Sequence, residues 1–136
     1  MGDMGEFTIK EAAALLGVSD DTVRRWGDAG RVAVRRAENG RQVIAGRDLL
    51  PLLREPEAAS ALADAFPLAR TSARNRVTGI VTRVQLDGVM AQVDVQAGPF
   101  RVVSLMTREA AEELGLEPGS LVVASAKATN VAVELP

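Results

Sequence analysis

Arginine is concentrated in one short stretch of this chain. Between positions 24 and 47 stand Arg24, Arg25, Arg31, Arg35, Arg36, Arg41 and Arg47, against only Asp28 and Glu38. From Arg76 to the end the balance reverses to five basic residues and seven acids, within a net charge of −2. A basic patch on an otherwise acidic chain is the footprint of a polyanionic partner. A second polar set opens the C-terminal half, Thr71-Ser72-Ala73-Arg74-Asn75, and is matched near the end by Lys127-Ala128. Hydroxyls, an amide, two cations and small residues that bare their N–H groups suit a tetrahedral dianion. They would hold it by charge-assisted hydrogen bonds, about twice as strong as neutral ones. On spacing alone, a plain lead-in turn with Arg74 on the surface is the simpler reading.

Missing residue types narrow the chemistry. The 136 residues include no cysteine and no histidine. Disulfides, thiol chemistry and most zinc sites are thereby excluded, and a bound oxyanion would be held intact rather than as a naked metal ion. The commonest general base at neutral pH is absent too, so no catalytic residue is assigned and no enzyme is expected. Residues 1–6 lack the basic and apolar runs of a signal peptide, and no apolar stretch approaches the roughly 18 residues of a membrane span. A cytoplasmic protein without membrane contact is expected.

Two groups of elements must position these residues. In the first, Thr8 and Glu11 form a capping box, and Ile9, Ala12, Ala13 and Leu16 follow helical spacing until Gly17. Ser19 caps a second helix, aided by Asp20 and Asp21, with Val23 and Trp26 on its buried face and Gly30 at its end. Arg24 or Arg25 on the polar side would reach guanine edges or phosphates. Val32 and Val34, then Asn39-Gly40, then Val43 and Ile44 predict a hairpin with a two-residue type I′ turn, flanked by Arg35, Arg36 and Arg41. A short third helix is expected over residues 47–53, with Pro51 near its first turn. Residues 55–71 read as a linker with a helical turn or two over 58–65. Beyond it the pattern becomes period two. Strands are predicted over 77–84, 89–95, 100–106, 121–127 and 131–135, with a helix over 108–114 capped by Thr107 and ended by Gly115. Five strands and one helix suggest an OB-like barrel.

The first group resembles the small winged helix-turn-helix of the MerR and excisionase superfamily. The matching residues are Thr8-Ile9-Lys10-Glu11-Ala12-Ala13, Leu16-Gly17-Val18-Ser19, Thr22-Val23-Arg24-Arg25-Trp26, Gly30 and the wing before Asp48-Leu49. The resemblance implies that the second helix and the wing contact double-stranded DNA, usually from a dimer. Ser19, Thr22, Arg24 and Arg25 would serve from the helix, and Arg35, Arg36 and Arg41 from the wing. Asp20 and Asp21 work against this, because acids there repel phosphate. The long dimerisation helix of full MerR regulators is not evident, so pairing must come from elsewhere.

Residues 71–136 look like the Mop or TOBE family of molybdate-binding domains. The matching runs are Thr71-Ser72-Ala73-Arg74-Asn75, Gly79, Met106-Thr107, Glu113-Leu114-Gly115-Leu116 with Gly119, and Lys127-Ala128 before Val131. The family is an OB-like barrel that binds molybdate or tungstate between subunits. Carried over by position, the ligand residues would be Ser72, Ala73, Arg74, Asn75, Thr107, Lys127 and Ala128. Many relatives have serine after the lysine, whereas Ala128 offers only its N–H. Single-stranded nucleic acid is a weak alternative, since stacking platforms need aromatics and Phe100 is this domain's sole aromatic residue.

The fold class expected is α+β: a winged helix-turn-helix over residues 1–54, a linker over 55–71, and a five-stranded OB-like barrel of Mop/TOBE type over 72–136. The function expected is a molybdate-responsive DNA-binding transcriptional regulator. Its oxyanion, molybdate or tungstate, would lie between subunits of a homo-oligomer, at least a dimer, with a hexamer also compatible. The alternative is a molybdate or tungstate storage oligomer whose helix-turn-helix does not regulate.

Overall fold

The computed structural model describes residues 5–53 and 57–136, which fall into two compact units divided between Ala61 and Leu62. Residues 1–4, and residues 54–56 where the first unit was expected to give way to the linker, lie outside the described residues.

In the first unit, strand β1 (Glu6–Thr8) runs directly into helix α1 (Ile9–Leu16) through an extended Thr8. Thr8 Oγ1 accepts the Glu11 N–H at 3.2 Å, and its hydroxyl donates to Glu11 Oε1 at 3.1 Å. The capping box therefore closes side chain to side chain. Gly17 ends α1 in the left-handed region at φ 70°, which a residue with a Cβ rarely adopts. Ser19 then caps α2 (Asp20–Asp28) by accepting the Thr22 N–H at 3.1 Å. Ile9, Ala12 and Ala13 of α1 and Val23 of α2 share one core with Val32, Ile44 and Leu49, with Phe7, Trp26 and Leu52 around it.

A three-stranded sheet carries the wing, with β3 (Gln42–Ala45) between β1 and β2 (Arg35–Arg36). The sequence offers no sign of β1: three residues are too few for a period, and Thr8 reads only as a cap. Val32 and Val34 belong to the core ahead of β2 rather than to a strand. The hairpin forms, but its turn differs from the expected type I′. Only Gly40 has positive φ, at 82°, and the Ala37 N–H bonds Arg41 O at 2.8 Å while the Gly40 N–H bonds Ala37 O at 2.9 Å. The loop is thus three residues long with a glycine bulge. Asn39 keeps an ordinary φ and uses its Oδ1 to accept the Arg41 N–H at 3.0 Å. The third helix is shorter than expected. Helix α3 (Gly46–Leu49) passes into a 3₁₀ turn, Leu50–Leu52, at Pro51, which has no N–H for the α ladder. Helix α4 (Glu57–Ala65) follows.

The second unit is a curled antiparallel sheet of β4 (Asn75–Leu86), β5 (Met90–Ala97), β6 (Phe100–Thr107) and β7 (Leu121–Ala126), in the order β6-β5-β4-β7. Residues 75–80 of β4 pair with β7 and residues 80–86 with β5, with a register shift between Val81 and Arg83. Gly79 sits where the partners change: a Cβ there would stand 2.5 Å from Gln96 O. Val81, Val93 and Val95 form the core, lined by Val84, Val102, Met106, Leu116 and Val122. Helix α5 (Arg108–Glu113) packs on β5 and β6 and buries Ala111.

The α+β class and OB-like curl stand, but the expected fifth strand does not form in the single chain. After β7 comes a 3₁₀ turn, Ala128–Asn130, and residues 131–136 have no regular structure. Val133 is 92% exposed and Leu135 83%. Period-two alternation reports a face to be buried, not which chain buries it.

Asp94 stands on the face of β5 opposite the valines yet is only 6% exposed. Its Oδ2 accepts from Arg101 Nε at 3.1 Å and Nη2 at 2.7 Å, and its Oδ1 accepts from Gln92 Nε2 at 3.1 Å. The Gln92 amide, and then Arg101, hold its pKa below the ordinary 3.8 despite burial. Asp87 is lowered likewise, by the Met90 and Val89 N–H groups. A carboxylate depressed on folding contributes stability that is complete above its ordinary pKa and lost as pH falls through the folded value. Thermal unfolding of the second unit is therefore expected to shift steadily downward below about pH 4. Asp94→Asn should lower the midpoint at pH 7 and flatten that acid slope. An unchanged slope in Asp94→Asn would rule out this carboxylate as a source of the acid sensitivity.

Candidate DNA interface and candidate oxyanion site

Helix α2 sets the first candidate site because its cap fixes its start and Val23 and Trp26 fix its inner face. Ser19 Oγ and Thr22 Oγ1 lie 2.9 Å apart, so one hydroxyl proton joins them and the other is free to donate outward. Arg24 reaches Asp21 at 3.4 Å, an exposed pair worth little in water. Arg25 is exposed and has no side-chain partner among the described residues. The wing arginines divide into two kinds. Arg35 is ion-paired with Glu6, and Arg36 Nη1 donates to Gly40 O at 3.1 Å, bracing the hairpin loop. Arg41 instead lines a cleft of about 410 Å³ with Arg24, Asp20, Gln42 and the start of α1 from Thr8 to Glu11. The structure thus brings Arg24 and Arg41 together and leaves Arg25, Arg35 and Arg36 outside that cleft. Trp26 is covered by the Arg31 guanidinium, 5.0 Å from the ring centroid.

The second candidate site is built at one end of β4 and β7. Asn75 pairs with Ala126, and Asn75 Nδ2 donates to Ala126 O at 3.2 Å. This register brings Arg74, just ahead of β4, and Lys127, just past β7, to the same end of the sheet, with Ser72 and Ala73 earlier in the lead-in and Ala128 next in the exit. The lead-in is itself tied down. The Ala73 N–H donates to Thr71 Oγ1 at 3.2 Å, Arg76 Nη1 donates to Ala69 O, and Ala73 is buried. Ser72, Arg74 and Lys127 are exposed, and neither cation has an acidic partner among the described residues. Ala128 opens a 3₁₀ turn, where no preceding carbonyl claims its N–H. Thr107 is not part of this cluster. It pairs with Met90, and Ala91 pairs with Leu86, so Thr107 belongs to the opposite end of β4.

Residues 8–43 match the MerR family of regulatory proteins, and residues 71–133 match the TOBE domain. The chain joins a MerR-family helix-turn-helix to a TOBE domain. Among solved structures, a molybdate binding protein from Sporomusa ovata is 28% identical over 49% of this chain and 100% of its own, with a TM-score of 0.48. MopII from Clostridium pasteurianum, in an apo form, is 30% identical over 48% of this chain and 100% of its own, with a TM-score of 0.46. ModG, described as a cytoplasmic molybdate-binding protein, is 39% identical over 50% of this chain and 49% of its own, with a TM-score of 0.48. The chain spans about half the length of ModG. Comparison with curated proteins gave no match. Both matched families are regulatory or binding domains rather than enzymes. Among the described residues no helix is long and apolar enough to cross a membrane, and no group of acids could hold a metal ion.

Lys10 and Gln42, which line the cleft of the MerR-type unit, escape a reading of the sequence. Lys10 lies inside the capping segment and registers there only as a spacer, and Gln42 registers only as the polar residue before Val43. In the TOBE domain, Thr107 carries a structural duty beside its candidate ligand role. Its Oγ1 accepts the Ala110 N–H at 3.1 Å as the cap of α5, which leaves its hydroxyl proton to donate elsewhere. Thr107→Ala is expected to destabilise the domain by about 1 kcal/mol in urea unfolding, and Thr107→Ser by much less. Equal stability of the two variants would remove the capping role.

Proposed function

We propose that this protein is a molybdate-responsive, DNA-binding transcriptional regulator of the cytoplasm, without catalytic activity, whose oxyanion lies between copies of the TOBE domain. The observation that carries the reading is that Arg74 and Lys127, two exposed cations with no acidic partner among the described residues, flank the Asn75–Ala126 pair at one end of β4 and β7. Ser72, Asn75 and the Ala128 N–H lie toward the same end, while the Ala73 N–H is already given to Thr71 Oγ1. A tetrahedral dianion there gains two charge-assisted contacts and several neutral donors. It also loses its hydration, so tight binding requires nearly every oxygen to be satisfied. One chain offers Thr107 only at the far end of β4, so the set is complete only when a second copy brings its own. Two of the similar proteins, 28% and 39% identical over 49% and 50% of this chain, are named for molybdate and support the same anion.

The remaining surface supports assembly. Phe100 and Leu105 on the edge strand β6 are each 70% exposed, and residues 131–135 carry apolar side chains with no layer to cover them. An open apolar edge invites pairing with another chain. A fifth strand supplied to or by a second copy would bury both. Residues 1–54 are then the DNA-binding part, 55–71 the linker and 72–136 the oxyanion part, with DNA met by Ser19, Thr22, Arg24, Arg25, Arg35, Arg36 and Arg41.

Molybdate should bind in calorimetry and raise the melting temperature, with stabilisation near 2.7 kcal/mol at a concentration 100-fold above Kd. Tungstate, of equal charge and similar size, should compete, and sulfate should bind far more weakly. Lys127→Ala should abolish the effect. Equal stabilisation by sulfate, or an unchanged response in Lys127→Ala, would overturn the site. Duplex DNA from upstream of the protein's own gene should bind with steep salt dependence, and Arg24→Ala and Arg41→Ala should each weaken it. Oxyanion binding without any salt-sensitive DNA binding would favour the storage oligomer instead.

A further inference from the structure

Lys10 belongs to neither element assigned to DNA, yet it lines the same cleft as Arg24 of α2 and Arg41 of the wing. We propose that Lys10 is the third cation of this cleft and binds a backbone phosphate of duplex DNA lying between α2 and the wing. The inference rests on the DNA-binding reading above and adds a contact from a third element. The Lys10 side chain is exposed, and no carboxylate forms an ion pair with it among the described residues. Two acids share the cleft, Glu11 and Asp20. Glu11 accepts from the Thr8 hydroxyl at 3.1 Å, which keeps its carboxylate at the helix cap. Among the lining residues two carboxylates therefore stand against three cations, which leaves one positive charge in excess.

The position of Lys10 is also fixed. Thr8, two residues earlier, pairs with Val43 of β3, and Val43 follows Gln42, another residue of the cleft. Capping at Thr8 locks the first turn of α1 to that strand pair. Lys10 therefore stays in register with the wing and cannot swing away with a loose terminus. Its chemistry selects the kind of contact. An ammonium is a compact point charge with rotatable donors, suited to a phosphate, and lacks the planar fork by which arginine reads a guanine edge. The contact should therefore be blind to sequence.

The test uses the full-length protein with two probes, a mixed-sequence duplex of about 30 base pairs and the upstream duplex, each titrated across a range of salt. Lys10→Ala should weaken binding to both duplexes by the same factor. It should also reduce the slope of log K against log salt by about 0.9 per bound copy, so that raising salt from about 50 to 200 mM costs roughly 3.5-fold less affinity per copy. Lys10→Arg should restore the slope, and the melting temperature should not move in either variant. An unchanged slope in Lys10→Ala overturns the proposal even if affinity falls, because a structural role releases no counterion. If wild type binds and Arg24→Ala lowers its slope while Lys10→Ala does not, only the Lys10 assignment fails. If wild type shows no salt-sensitive binding to either duplex, the DNA-binding reading fails and takes this inference with it.

Discussion

The C-terminal unit depends on β4 being hydrogen-bonded to different partners along its two halves. Residues 75–80 pair with β7 and residues 80–86 with β5, so one strand belongs to two ladders that meet at Ile80. A flat sheet would not allow the close approach found there. Gly79 is tolerated because it has no Cβ to press against Gln96 O, and the register shift between Val81 and Arg83 bends the strand. The curl draws Val81, Val93 and Val95 into one cluster and leaves β6 and β7 as edges. Pairing of Asn75 with Ala126 brings Arg74 and Lys127 to one end of β4, whereas Thr107 at the end of β6 lies toward the other.

Both units expose their candidate cations to water, but the two proposed ligands would make different demands on them. In the MerR-type unit the arginines of α2 and the wing are exposed, and each is individually worth little. A duplex makes that sufficient, since many weak contacts release many counterions together. A small dianion cannot add contacts by length. It must be taken out of water by a few groups, and attraction at that scale becomes strong only where water is excluded. The exposed Arg74 and Lys127 of a single chain do not provide such a site. In the proposed assembly, burial of the apolar edge at Phe100 and Leu105 and of residues 131–135 is what would exclude water.

Legibility in the sequence followed the range of the interaction. Thr8 with Glu11 and Ser19 with Thr22 are caps made within four residues, and both are readable because the donor and acceptor lie in one short window. Alternation along β5 is readable for the same reason: Ala91, Val93, Val95 and Ala97 are all buried. Errors arose where the deciding partner lay elsewhere. Asn39-Gly40 signalled a hairpin correctly, but the loop is three residues long, with the Arg41 N–H bonded to Asn39 Oδ1 inside it. β1 exists only because β3 offers Ile44 opposite Phe7. Residues 131–135 have the pattern of a strand but form no strand pair among the described residues. Of the candidate oxyanion residues, strand register fixes Asn75 directly and brings Arg74 and Lys127 to the same end of the sheet. Lys10 needed the fold before it stood beside Arg24 and Arg41.

In the proposed regulator, coupling between the units needs no movement within a chain. A ligand shifts an equilibrium only by its different affinity for the two states. An oxyanion whose donors come from two copies has its full affinity only for the assembled form, which is the largest difference available. Assembly also sets two helix-turn-helix units on one particle. Once one unit is on DNA, the second binds from an effective concentration set by the tether rather than from solution. The linker with α4 then has only to keep the units connected and within reach of both half-sites. Linkage makes the effect mutual, so DNA that favours the assembled form raises oxyanion affinity by the same factor.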